Sequence, residues 1–371
     1  MNSTKIVGIV LFVLGVFVFF ASYLFLGSTG HFELEDIVKD SYVHITTALL
    51  TLSLTILVID HLNSKREIRA EKRKLIQGLR SKSHIITEQA LESLRVNNWL
   101  EDGTLSGINL NDILLTDFDL RRANLVATSI MNGQLNNINL EFANLENVDL
   151  KWSCVTKCNF NGTSLLGATL SSGQFTHCSF YEANLSDLLI TESDFSETDF
   201  SNAEMSSITI KESQFRNSNF YQCKLMFADI QGCDFSSSNW CNSNVFRLDI
   251  RCSTLKNTIL NSVEGGNVLI ENCDFTDSEL IEGYMEESTI RSSIFRKATL
   301  VGSKFRKSTF ENTDFSGADL SRCDLRNTAF ESCDLTNVDF SGADLREADL
   351  SRAITVGIKL DRANTKGMKL K

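Results

Sequence analysis

The residues able to do chemistry in this chain are many, but their placement argues against catalysis. Its five histidines, His31, His44, His61, His84 and His177, lie in separate segments, so neither a metal cluster nor a Cys–His nucleophile pair can be proposed from them. The ten cysteines include no CxxC pair. Seven of them (Cys158, Cys178, Cys223, Cys233, Cys273, Cys323 and Cys333) fall at one position of a repeat, where a thiol serves as a compact apolar group. Many aspartates occupy another fixed position, as in Asp314, Asp319, Asp324, Asp334, Asp339 and Asp344, and an acid–base pair chosen among them would be arbitrary. No phosphate-binding glycine loop is present. These residues predict no enzyme, no metal and no cofactor. What they share is a spacing.

From Leu105 to Leu350 every fifth residue is apolar, and of those 50 positions only Gly265 lacks a sizeable side chain. Two residues before each, Gly, Ala, Ser, Thr or Cys fills 39 of the 50 places. The unit is A-(D/N)-(L/F)-x-x, clearest at Ala123-Asn124-Leu125, Ala143-Asn144-Leu145, Ala318-Asp319-Leu320 and Ala343-Asp344-Leu345. A period of five fits neither a helix nor a flat strand, so the chain must turn once per unit, with the large residue on the axis, the small one beside it and the other three in water. That is an all-β solenoid. Sorted by twenties, the axial residues form columns of one shape: Ile190, Ile210, Ile230 and Ile250, or Phe175, Phe195, Phe215 and Phe235. Four sides per coil and about twelve 20-residue coils follow, with these eight residues as structural core. Outward Asp199 should be replaceable by Ala within about 0.5 kcal/mol unless it caps a turn. Gly265-Gly266, in the weakly patterned stretch from Trp240 to Val268, predicts a bulge or a local narrowing.

The A-(D/N)-L-x-x copies resemble the pentapeptide-repeat family over about two thirds of the chain. The resemblance implies a right-handed quadrilateral β-helix and little about activity, since the family is defined by its scaffold. The lead-in from Glu92-Ser93-Leu94-Arg95 through Trp99-Leu100-Glu101-Asp102-Gly103 also resembles that of membrane-tethered bacterial members.

Ahead of the repeat, residues 1–60 predict a transmembrane helical hairpin with spans at about 6–26 and 42–59. The segment between them carries Glu33, Glu35, Asp36 and Asp40 against Lys39, whereas Lys65, Arg66, Arg69, Lys72, Arg73, Lys74, Arg80 and Lys82 follow the second run. The positive-inside rule then places both termini and the repeat rod in the cytoplasm, and the resemblance makes the membrane a bacterial plasma (inner) membrane. Residues 61–102 read as a basic linker helix, broken near Gly78 to Ser83, that becomes the N-terminal cap. The rod is 103–352, and 353–371 reads as a C-terminal cap or tail.

Two functions fit: a membrane-tethered scaffold or protein-binding module, and an acidic DNA mimic, since the resemblance implies that some soluble members bind topoisomerases in place of DNA. From Glu101 onward 38 acids face 25 bases, but Glu264 to Glu287 holds eight acids and no base, and Arg291 to Lys307 holds six bases and no acid. A duplex mimic should keep one sign along its length, and direct nucleic-acid binding is disfavoured by the acidic balance. The expected partners are therefore the membrane and a protein; the resemblance to soluble members also implies a contact with a second copy of the chain at the C-terminal end, which nothing in these residues requires. The outward positions that break the polar rule gather on one side and its corners: Tyr181, Tyr221, Met226, Phe227, Phe246, Ile281, Tyr284 and Val301 form the candidate protein-binding face.

Overall fold

The computed structural model of the protein describes residues 3–26 and 34–370. It divides into two compact units, Met1–Leu75 and Ile76–Lys371. In the first, α1 (Ser3–Leu26) packs on α2 (Leu34–Leu79) through two glycines seven residues apart. A Cβ added at Gly8 would meet Leu57 at 3.0 Å, and one at Gly15 would meet Leu50 at 3.4 Å, so bare backbone is what lets the helices approach. Ile6, Val10, Phe12, Val13 and Phe17 on α1, and Leu52, Leu54, Val58 and Ile59 on α2, remain exposed. Among the described residues one helical stretch, Val43–Leu79 within α2, is long and apolar enough to cross a membrane; the apolar part of α1 that could be searched, Lys5–Val18, is shorter. The hydroxyls of α2 are returned to its own carbonyls, as in Thr51 to Thr47 at 2.8 Å and Thr55 to Thr51 at 2.7 Å.

Two expectations change here. α2 begins at Leu34, inside the expected acidic loop, and runs without interruption through His61 to Leu79, because nothing in that stretch breaks a helix. Span and linker are therefore one helix. The rest of the expected loop, 27–33, with His31 and Glu33, lies outside the described residues.

In the second unit the helix breaks between Leu79 and His84, and α3 (His84–Val96) follows. A Cβ at Gly78 would stand 3.0 Å from Ala90, so this glycine sets the closeness of the corner. α3 buries Thr87, Ala90, Leu91 and Leu94. Leu79 and Leu91 line one small apolar void with Leu105 and Leu110, at the end of the first coil.

Beyond it the chain is a parallel β-solenoid with a repeat of twenty residues. Residue i pairs with i+20 from Asn109↔Ser129 to Asp349↔Lys369. Four three-residue strands from Leu114–Thr116 to Gln174–Thr176 form a sheet on one side. Eight more, from Leu189–Thr191 to Ala329–Glu331, form a sheet on another. The isoleucine column is in register from Ile190 to Ile290 and continues as Phe310 and Phe330. Phe175, Phe195, Phe215 and Phe235 stack at centroid separations of 4.7, 5.2 and 5.0 Å. All eight expected core residues are buried.

The turn within each unit has a common cause. Every fifth residue from Asp112 to Glu347 has φ between 48° and 71°, in the left-handed region that bends the chain at a corner. Asn, Asp and Gly recur there, but so do Ala127, Phe142, Trp152 and Phe227, which adopt it at a steric cost. Only this corner residue and some of its neighbours face water fully. The Asp/Asn position is half-buried, because its carboxyl or amide oxygen accepts the amide N–H two residues on: Asn144 from Glu146 at 3.0 Å, Asp319 from Ser321 at 2.9 Å. Asp199 does the same for Ser201 at 3.0 Å and also accepts from Asn219 at 3.0 Å, so it is not a freely replaceable outward residue.

The small position has its own chemistry. Buried hydroxyls there donate to the carbonyl 23 residues back, as Thr128 to Leu105 at 2.7 Å, Thr198 to Phe175 at 2.7 Å and Ser218 to Phe195 at 2.8 Å. Each thereby ties its coil to the previous one without leaving a buried polar group unmet. Cysteines take the same geometry, with Cys323 Sγ 3.0 Å from Leu300 O. Burial pushes the thiols of Cys233, Cys273, Cys323 and Cys333 up to about 12, which makes them inert packing groups.

One further expectation fails. Glu264–Gly266 is a regular strand paired in register with Tyr284–Glu286, with no bulge; at Gly265 Val245 and Met285 fill the axial space, and an added Cβ would meet them at 2.8 and 3.1 Å. Residues 353–370 continue the coil, bonded to the one before through Ile354 N to Cys333 O and Lys369 N to Ala348 O. Ile354, Val356 and Leu370 stay exposed on it.

Candidate binding face

Positions just before and after a corner are the ones where an apolar side chain has no interior to enter. Tyr181, Tyr221, Ile281 and Val301 occupy one such column, Met226 and Phe246 the next, and Phe227 the corner itself with φ 60°. Tyr181, Tyr221, Phe227, Phe246 and Tyr284 are exposed; Met226, Ile281 and Val301 are half-buried against their own coils.

The structure brings some of these together and leaves others apart. Phe227 and Phe246 meet edge to face at 5.9 Å, with the Arg247 guanidinium 5.8 and 5.5 Å from their centroids. Met226, Phe246 and Tyr284 line one groove of about 580 Å³, together with Glu264, Glu282 and Lys304. Lys304 Nζ lies 5.9 Å from the Tyr284 ring. Tyr181 and Tyr221 sit on earlier coils and do not line that groove. Partial desolvation and the carboxylates of Glu286 and Glu287 push the Tyr284 phenol above its usual range.

Reading the sequence missed two members of this side, Phe142 and Leu166, both exposed. Phe142 lies across Gly162 of the next coil, where an added Cβ would come 2.5 Å from its ring. The signal was present as a large apolar residue twenty places before a glycine. Trp152 and Leu189, also exposed, stand on other sides.

Across the coils, charges pair along the same columns: Lys224 with Glu204 at 2.8 Å, Lys307 with Glu287 at 2.9 Å, and Lys359 with Asp339 at 3.3 Å. Among the described residues no group of three or more His, Cys, Asp or Glu could hold a metal ion.

These features define a class, a parallel β-solenoid of five-residue sides. The family model for pentapeptide repeats matches in eight copies within residues 132–239 and 293–352, and the repeat region belongs to that family. The interval between them, 240–292, holds Phe246, Tyr284 and most of the groove lining, while Met226 and Lys304 lie in the matched ranges. No curated protein matches the chain. Among solved structures it is similar to QnrB1, a plasmid-mediated fluoroquinolone resistance protein, at 20% identity and TM-score 0.27 over 67% of this chain and 91% of that one. It is similar to HetL, involved in heterocyst differentiation regulation in the cyanobacterium Nostoc, at 17% identity and TM-score 0.17 over 76% and 96%. A mannuronic acid specific polysaccharide lyase from human gut microbiota aligns at 12% identity and TM-score 0.34 over 66% and 78%.

Proposed function

We propose that the protein is a non-enzymatic, membrane-tethered binding module: α1 and α2 form a two-span hairpin, and a right-handed, four-sided rod in the cytoplasm offers one side to a protein partner. The domain limits that go with this reading are a hairpin to residue 60, a linker and cap over 61–102, and the rod beyond. The observation that carries it is the gathering of exposed aromatic groups, Tyr181, Tyr221, Phe227, Phe246 and Tyr284, on one side of a scaffold whose other sides carry exposed apolar groups only singly, as at Trp152 and Leu189. The membrane part draws on the glycine-mediated packing of α1 on α2, the exposed apolar surface of both helices and the basic residues that follow.

Affinity purification of the full-length protein from its native membrane tests the reading. Tyr221→Ser combined with Phe246→Ser should strip the co-purifying protein while the rod keeps its melting temperature. Unchanged partners and an unchanged oligomeric state would exclude this face. Carbonate extraction that releases the chain from membranes would exclude the hairpin. The DNA-mimic reading is less favoured, because basic residues pair with the acids along the columns; inhibition of a topoisomerase supercoiling assay would restore it.

A further inference from the structure

The two adjacent glycines of the irregular stretch have different reasons for being there. Gly265 is required by packing, since Val245 and Met285 leave no room for a Cβ. Gly266 is not: a Cβ there would meet its nearest atoms, Glu286 O, Phe246 Cδ2 and Tyr284 Cε1, at 3.6, 3.7 and 3.7 Å, which is ordinary contact, and its φ is not left-handed. A strand glycine that the fold does not need weakens the strand. What it does locally is let two rings from neighbouring coils, Phe246 and Tyr284, lean in over one point, so that they form a wall of the open groove beside Glu264 and Glu282. Other residues of this column, such as Met226, Glu286 and Arg306, would hold such rings apart.

The chemistry of that wall selects a cation. Arg247 and Lys304 already rest near the rings, at 5.5 Å from Phe246 and 5.9 Å from Tyr284. Glu264 and Glu282 are exposed on the groove, and among the described residues neither has an ion-pair partner. They belong to the run from Glu264 to Glu287, which contains eight acids and no base. A guanidinium is planar enough to lie on an aromatic wall and forked enough to take a carboxylate in two hydrogen bonds, whereas an ammonium does only part of this.

We propose that the groove at Phe246 and Tyr284 holds an arginine side chain from a basic segment of the partner protein, with Glu264 and Glu282 receiving its charge and Gly266 setting the aromatic wall. This rests on the reading of the rod as a protein-binding module and narrows it to a partner chemistry. The test is fluorescence anisotropy of the full chain in detergent with a labelled Gly-Ser-Arg-Ser-Gly peptide and its lysine and citrulline counterparts. The arginine peptide should bind about tenfold more tightly than the uncharged citrulline peptide. Gly266→Leu, which wedges the rings apart, and Glu264→Gln with Glu282→Gln, which leaves the fold untouched, should each remove most of that difference. Equal binding of the arginine and citrulline peptides, no binding of either at about 1 mM, or full retention of the difference in the double glutamine variant overturns the inference. If that happens while the Tyr221→Ser, Phe246→Ser variant still loses its partner, the binding-module reading stands without the arginine.

Discussion

Between Phe160 and Trp240 two of the four axial columns are interlocked rings, while between Leu105 and Leu150 the axial positions are all leucine but for one isoleucine, Ile130. In the first region Phe180 stacks on Phe160 and Phe200 at 4.6 and 5.2 Å and meets Phe195 at a steep angle at 6.1 Å. In the second, a narrow apolar void of about 20 Å³ is bounded by Leu105, Leu115, Leu125, Leu135 and Leu145. A similar void of about 20 Å³ lies after Trp240, lined by Val245, Leu255, Val263 and Met285. The coil-to-coil hydrogen bonds are alike throughout, with Leu120 N to Asn139 O at 2.7 Å and Phe200 N to Asn219 O at 2.7 Å. The cross-section is therefore set by corners and backbone, and axial side-chain volume decides only how completely it is filled.

The largest expected effect breaks the ring columns. Phe195→Ala should cost about 3–5 kcal/mol, because its neighbours are held by their own coils and cannot collapse into the hole. Leu125→Ala, beside an existing void, should cost less, about 2–3 kcal/mol. Denaturant unfolding of both variants checks the order, and a larger loss at Leu125 would mean that the leucine coils are the better packed. Enlarging Leu140 to Phe extends the column below Phe160 into the looser region. A change within about 1.5 kcal/mol is expected there.

The glycine pair gives the next contrast. Gly265→Ala should destabilise by about 1–3 kcal/mol through its contacts with Val245 and Met285. Gly266→Ala should be neutral or stabilising by up to about 1 kcal/mol. Equal losses in thermal melts would remove the distinction on which the aromatic wall depends. At the corners, Ala127→Gly relieves a left-handed backbone and should stabilise by about 1 kcal/mol, in any region of the rod where the corner is not already Gly, Asn or Asp.

Much of this fold was legible in the sequence, because a solenoid writes its contacts as a period. The axial residues, the twenty-residue register and the helix break after Gly78 follow from spacing and from residues that end helices. The Asp/Asn position was misjudged as fully outward, since its hydrogen bond to the amide two residues on leaves no trace in hydrophobicity. Asp199→Ala should accordingly cost about 1 kcal/mol rather than nothing, as loss of a turn-capping acceptor does. The joining of the second apolar run to the basic linker was hidden because a change of composition was taken for a change of element. The groove was only half visible: Phe246 and Tyr284 broke the polar rule, but that Gly266 lets them converge is a property of neighbouring coils.

The smallest effect separates the C-terminal coils from Asp249 in mid-rod by charge. Toward the C-terminus the Asp324 and Asp344 carboxylates are held below the usual range by hydrogen bonds from Arg326 and Arg346, at 2.8 Å for Arg326 Nε and 2.6 Å for Arg346 Nη2. Asp349 is lowered to about 2 by the hydroxyl and amide of Ser351 and by Lys369. In the middle, burial pushes Asp249 the other way, against the pull of Arg251. A carboxyl whose folded value lies below its unfolded value of about 3.9 favours the folded state above that pH and loses the advantage as pH falls through the folded value. The C-terminal coils should therefore lose stability between about pH 4 and pH 2, while protonation of Asp249 begins at higher pH and relieves its burial. Asp344→Asn keeps an oxygen for the Arg346 amide, as Asn144 does for Glu146, and removes only the charge. Its melting temperature at pH 7 should drop by no more than the little that exposed pairs contribute, and its slope with acid should flatten. A slope as steep as that of the parent protein would assign the acid sensitivity to carboxylates outside this ladder.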